Sequence, residues 1–137
     1  MRIVAIDPGN DRTGFAVYED GALVESDWFC LWDCPSPEHD ADRVYLEIPQ
    51  NGTHASRGGV REAGGMAIAN LNVRRRDVRR VTPNKWRAGL GLLTKGAGKP
   101  YYVLEARKVP GAEEVEDHNE AEAILIGKYA CLMEGEA

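Results

Sequence analysis

The chain has 137 residues, with 17 Lys plus Arg against 22 Asp plus Glu and a formal charge of −5. That length predicts a single domain over residues 1–137 with one core, and it excludes a two-lobed ATPase or a string of catalytic modules. A composition of 43% hydrophobic and 28% charged residues excludes a disordered or fibrous chain. The sequence also lacks an apolar run near the roughly 18 residues of a membrane helix and a secretory leader, so a cytoplasmic protein with no membrane partner is expected.

Arg2-Ile3-Val4-Ala5-Ile6 ends at Asp7-Pro8-Gly9 and reads as a buried strand running into a tight turn. Thr13 to Glu19 is a second strand, and Asp20-Gly21 is a hairpin turn into a third, Ala22 to Trp28. Cys30 to Asp42, with Pro35 and Pro37, reads as a loop; Arg43 to Ile48 is a fourth strand, stopped by Pro49. Asn51 to Gly65 is a Gly-, Ser- and Arg-rich surface loop, and Asn51-Gly52-Thr53 within it reads as a turn. A small-residue helix follows through Met66 to Leu71, beginning near Val60. Val78 to Val81 is a fifth strand, and Thr82-Pro83-Asn84 caps a short helix from Lys85 to Leu90. Further helices are expected over Tyr101 to Lys108 and from about Val115 to Leu132, the last with an apolar stripe of Ala121, Ile124, Leu125 and Leu132. Strands first and helices later, without repeats, predict an α/β domain around a mixed sheet.

Charge is unevenly placed. Arg57 to Lys108 holds thirteen of the Lys and Arg residues and three acids (Glu62, Asp77, Glu105), a net of +10 inside an acidic chain. The local field over that segment governs the encounter with a polyanion, because screening limits each charge to about 8–10 Å. Its densest part is Arg74, Arg75, Arg76, Arg79 and Arg80, which reads equally as a solvated surface or as phosphate contacts. Cys30, Cys34 and Cys131 are odd in number, so they cannot all pair within the chain. Zinc binding by Cys30, Cys34 and His39 lacks a fourth ligand, and reduced cysteines packed near Trp28, Phe29 and Trp32 are the simpler expectation.

The chemistry lies in acids at the ends of apolar elements. Asp7 ends the first strand, and Glu47 sits where a buried strand calls for an apolar residue. An ionised carboxylate there is costly unless paired or bound to a cation. Asp117, His118, Glu120 and Glu122 fall in the first turns of the last helix, with His118 and Glu122 on one face. Converging carboxylates suit hard cations such as Mg²⁺ or Mn²⁺, and two such ions can activate water and stabilise the leaving oxygen of a phosphodiester. Taken singly, Asp7 could merely cap a turn and the helix acids could merely complement the helix dipole.

Ile3-Val4-Ala5-Ile6-Asp7-Pro8-Gly9 followed by Thr13-Gly14-Phe15-Ala16-Val17 closely resembles the opening of the RuvC family of Holliday junction resolvases. Val44-Tyr45-Leu46-Glu47 resembles that family's second motif, and Gly65-Met66-Ala67-Ile68-Ala69 the start of the helix after it. Val81-Thr82-Pro83-Asn84-Lys85-Trp86 is similar to the segment after the fifth strand in short phage-type relatives. Asp117-His118-Asn119-Glu120-Ala121-Glu122-Ala123-Ile124-Leu125 resembles the final helix. The resemblance implies a ribonuclease H-like fold with a five-stranded mixed sheet flanked by helices. It also implies a homodimer and two-ion, Mg²⁺- or Mn²⁺-dependent cleavage of branched DNA, leaving 5′-phosphate and 3′-hydroxyl ends. Asp7, Glu47 and Glu122 would then be catalytic metal ligands.

The family commonly has an Asp three or four positions before its last acid. Those positions hold Asn119 and His118 here, so His118 is the expected fourth ligand, with Asp117 or Glu120 as replacements. Arg57, Arg61, Lys95 and Lys99 are the expected nucleic-acid contacts, Trp86 is expected in the core, and the face Gly64-Gly65-Met66-Ala67-Ala69 reads equally as a candidate dimer interface or as packing on the protein's own sheet. Two alternatives remain open. One is a structured-RNA nuclease of the YqgF type, against which Glu47 counts; the other is a catalytically silent nucleic-acid-binding module.

Overall fold

The computed structural model describes residues 1–9, 11–30, 40–48, 64–65, 67–68, 74, 77–93 and 96–136. Strands β1 (Arg2–Asp7), β2 (Arg12–Glu19) and β3 (Ala22–Cys30) form an antiparallel meander, and β4 (Arg43–Glu47) and β5 (Val78–Val81) continue the sheet in parallel with β1. The sheet order is β3-β2-β1-β4-β5. Helices α1 (Pro83–Gly89), α2 (Lys99–Ala106) and α3 (His118–Met133) follow.

Local chemistry explains the boundaries. Asp20 and Gly21 both have positive φ, 49° and 86°, as a two-residue hairpin matched to strand twist requires. The first helix starts earlier than expected, because Thr82 accepts a hydrogen bond from the Lys85 N–H and Pro83 fills the first position. Helix α2 also starts two residues early, with Pro100 at its second position, although its N-cap Gly98 makes no side-chain hydrogen bond. The last helix starts later, at His118, because Asp117 adopts an extended backbone and its carboxylate accepts from the Asn119 and Glu120 N–H groups. The third strand runs two residues further, to Cys30, which is exposed, while Cys131 is buried in α3. Cys34, His39 and Trp32 lie outside the described residues.

The sheet alternates its side chains between two cores. Ile3 and Ala5 of β1, Ala16 and Tyr18 of β2, and Tyr45 of β4 face the helices. Val4, Ile6, Val17, Val44 and Leu46 face the opposite side, where Ala67 and Ile68, both helical, cover them. Gly64 packs there too: a methyl group on it would lie 3.2 Å from Leu46 and 3.3 Å from Pro8, whereas Gly65 is exposed. The expected small-residue face therefore packs at Gly64 and Ala67 on the protein's own sheet.

Helix α3 is the central element, packed against β1, β2 and α2. Its Ile124, Leu125 and Ile126 are at most 1% exposed, each contributing about 1.5–3 kcal/mol by burial. Gly127 lets the Tyr18 ring pass, and the Tyr18 hydroxyl donates to the Ile124 carbonyl at 2.7 Å. Among the described residues no helix is long and apolar enough to cross a membrane.

Candidate functional site

Asp7 and Glu47 end two neighbouring parallel strands. In the β1–β4 register Ile6 pairs with Leu46, so the next residue on each strand, Asp7 and Glu47, stands side by side. Alternation puts both on the face of Ile3, Ala5 and Tyr45, beneath α3. There α3 supplies Glu122. Its first turn reaches the sheet because β2 offers Gly14 opposite Asp7: a Cβ on Gly14 would sit 2.0 Å from the Asn119 carbonyl oxygen. A missing side chain on β2 thus lets the helix descend onto the end of β1.

The three carboxylates form one electrostatic unit. Asp7 is 3% exposed, and its Oδ2 is sealed from water without a hydrogen-bond partner. Burial, then the negative charges of Glu47 and Glu122, then carboxyl–carboxyl contacts with both, hold the Asp7 carboxyl well above its usual range. Burial and the charge of Glu122 push Glu47 up to about 7, against the opposing pull of Trp86, Asp7 and Arg87.

Two residues of α1 organise the acids from the side. The Trp86 indole Nε1–H donates to Glu47 Oε2 at 2.6 Å, and Arg87 Nη2 donates to Glu122 Oε1 at 2.9 Å. The Arg87 guanidinium lies over the rings of Trp86 and Tyr102, 5.1 and 4.5 Å from their centroids. These contacts brace it. Trp86 is fully buried, as expected, yet its polar edge serves Glu47; Arg87 was not foreseen. A Trp-Arg pair just after a Thr-Pro cap was visible in the sequence, but not that β5, which precedes it, lies beside the strand carrying Glu47.

The other expected residues divide. Asp117 caps α3 and forms an ion pair with Arg12 at 2.8 Å. Burial raises its pKa, but Arg12 and the two backbone N–H groups outweigh it and leave the carboxyl below its usual range. Glu120 accepts from the Ser26 hydroxyl at 2.9 Å, on the β3 side, and burial raises its carboxyl. His118 lines a cleft with Arg12, Trp28 and Lys99, one helical turn before Glu122. Lys99 is exposed at the start of α2. Arg57, Arg61 and Lys95 lie outside the described residues, as do Arg75 and Arg76, whereas Arg74, Arg79 and Arg80 are exposed. Among the described residues no group of three or more His, Cys, Asp or Glu side chains is arranged so that it could hold a metal ion as it stands; Glu47 and Glu122 each have one oxygen engaged by α1.

No protein-family model and no curated protein matches the chain. Solved structures do. The chain is similar to Thermus thermophilus RuvC in complex with a Holliday junction substrate, with a TM-score of 0.68 and 16% identity over 98% of this chain and 95% of that one. A second structure of Thermus thermophilus RuvC gives 0.62 and 18% over 100% and 98%. Fowlpox virus resolvase with Holliday junction DNA gives 0.47 and 10% over 97% and 99%. The class is settled by the first two: an α/β protein with a mixed five-stranded sheet and helices. More particularly, it has the ribonuclease H-like fold of RuvC.

Proposed function

We propose that this protein is a divalent-metal-dependent endonuclease that resolves four-way DNA junctions. One observation carries the reading. A fully buried aspartate at a strand end, with one oxygen unsatisfied, is flanked by two further carboxylates from separate elements. The donor chemistry suits hard cations: oxygen donors, concentrated negative charge and an orphaned acceptor are what Mg²⁺ or Mn²⁺ would satisfy. RuvC, similar in fold over nearly the whole chain, has been seen with a Holliday junction substrate, which supports branched DNA as the substrate.

Asp7, between the other two acids, would be the shared ligand, with Glu47 on one side and Glu122 on the other. His118 would be the fourth donor, one turn before Glu122 on α3. Two bound ions would polarise the scissile phosphate and activate water for its hydrolysis. The chain's own part is positioning. Trp86 keeps one Glu47 oxygen turned to α1, leaving the other to face Asp7. Arg87 does the same for Glu122 and keeps a permanent positive charge beside the acids. Lys99 with Arg57, Arg61 and Lys95 would contact DNA phosphates, helped by the exposed bases of the middle segment. A homodimer suits a four-way junction, since paired nicks must fall at two-fold related positions.

The test is Asp7→Asn on a labelled four-way junction. Wild-type protein should nick it in Mg²⁺ or Mn²⁺; the variant should lose nicking and keep junction binding in Ca²⁺. Undiminished cutting removes Asp7 from the mechanism. Cutting of an RNA hairpin but not of the junction would instead favour a structured-RNA nuclease.

A further inference from the structure

The sheet register that places the acids also places an aromatic group. Gly14 pairs with Asp7 on one side and with Trp28 on the other. Directly paired residues share a face, so Trp28 stands on the same face as Asp7, two strands away and about 10 Å distant at normal strand spacing. The first turn of α3 lies over Gly14 between them. On one side of that turn is Glu122 with Asp7. Adjoining it on the Trp28 side is a cleft of about 790 Å³, lined by Trp28, Arg12, the exposed face of α2 and His118 of that same turn.

The cleft holds a stacking surface. The Arg12 guanidinium sits 4.1 Å from the Trp28 ring centroid and is pinned there by Asp117, while its side chain stays 49% exposed. An aromatic ring with a guanidinium over it is a surface on which nucleobases stack. The opposite wall carries Lys99 and Arg107 at the two ends of α2, eight residues and about 12 Å apart. Arg107 is oriented by its Nε–H, which donates to the Val115 carbonyl at 2.8 Å. Asp117 adds little negative field, because Arg12 and two N–H groups neutralise it; Glu116 at the rim subtracts one charge. Bases inside a duplex are already stacked and have no face to offer such a surface, so its occupant is an unpaired strand.

We infer that this cleft is a single-strand subsite, in which an unpaired base stacks on the Trp28–Arg12 pair and Lys99 and Arg107 hold the flanking phosphates. That the strand is the one being cut rests on the proposed nuclease function; binding itself does not.

The probe is a fluorescein-labelled oligothymidylate of about a dozen nucleotides, followed by anisotropy in Ca²⁺, beside junction nicking in Mn²⁺. Trp28→Ala should weaken oligothymidylate binding by about 10-fold or more, and Trp28→Phe should restore most of it. Lys99→Glu, an exposed change, carries the same test if Trp28→Ala melts early. It should weaken binding and flatten the slope of log K against log salt by about 0.7, one single-strand phosphate contact. A wild-type protein that ignores oligothymidylate, or variants that all bind it equally, would overturn the inference. So would a Trp28→Ala change that alters self-association or peptide capture and leaves oligothymidylate binding intact. Trp28-dependent binding without any nicking would uphold the subsite while removing the nuclease reading. Nicking with Trp28-independent binding would do the reverse.

Discussion

Glu47→Gln is the sharpest probe of the carboxylate cluster, because its effect on stability has a definite sign. Glu47 sits near 7 in the folded protein against 4.5 for an ordinary glutamate. Below about pH 4.5 the group is protonated in both states and costs nothing. Between about 4.5 and 7 the unfolded chain releases the proton while the folded chain keeps it, so stability falls as pH rises. Above 7 the loss is complete, about 3 kcal/mol from this residue, and the raised Asp7 adds to it in the same direction. For a domain of this size the loss corresponds to a melting temperature lower by roughly 10 °C. Thermal melts of metal-stripped protein from about pH 4.5 to 8 should show that decline in wild type and a shallower one in Glu47→Gln, which should be the more stable protein near pH 8. Mn²⁺ should restore wild type far more near pH 8 than near pH 5, by about 2.7 kcal/mol at a hundredfold excess over its dissociation constant, and Glu47→Gln much less. A wild-type melting temperature that stays level over this range, with Glu47→Gln no more stable, would refute the claim that the acids are crowded together in the fold.

Trp86→Phe removes the 2.6 Å hydrogen bond to Glu47 together with three buried ring atoms, while an aromatic ring stays in place. A hydrogen bond to a charged group contributes about 1.5–3 kcal/mol, so the pH at which Mn²⁺ uptake sets in should move up by about one unit or more, read by calorimetric titration across pH. An unmoved onset would mean the indole only fills space. Gly14→Ala forces the Asn119 carbonyl and Glu120 N–H away from the sheet. It should destabilise by about 1–3 kcal/mol and weaken both Mn²⁺ uptake and oligothymidylate binding, because both sites meet at that turn. Loss of only one would separate the two sites.

Much of the fold could be read locally. The first two strands announce themselves as apolar runs, and the Asp20-Gly21 hairpin follows from the left-handed backbone those residues tolerate. Glu47 stood out because a carboxylate on a buried strand needs a partner; the donor it finds is the Trp86 indole, and Asp7 and Glu122 are acids crowded beside it. Helix starts were displaced by two or three residues because caps, not apolar periodicity, set them: Thr82 and Pro83 in one case, Asp117 in another. What stayed hidden depends on contacts between distant segments. Arg12 and Asp117 are 105 residues apart, Trp86 and Glu47 are 39 apart, and only the sheet order and the helices packed on the sheet bring each pair together. The same holds for Trp28, whose relation to Asp7 runs through two strand registers.

The cluster also bears on why such an arrangement persists. On β1, the antiparallel neighbour β2 begins where β1 ends, while the parallel neighbour β4 ends there too, so the topology gathers two strand-terminal side chains at one spot. A protein using that spot only for stability would place apolar or amide side chains there, since replacing buried charge with well-packed neutral groups is commonly neutral or stabilising. This chain instead puts three acids there and supplies relief that is only partial. Trp86 donates to one and Arg87 to another, and Asp7 Oδ2 is left with neither. The unrelieved part falls on a sealed oxygen of the acid that feels the charge of both others. A structural role accounts for the contacts of the indole and of Arg87 Nη2, but not for the omission at Asp7, which the proposed divalent ion would relieve.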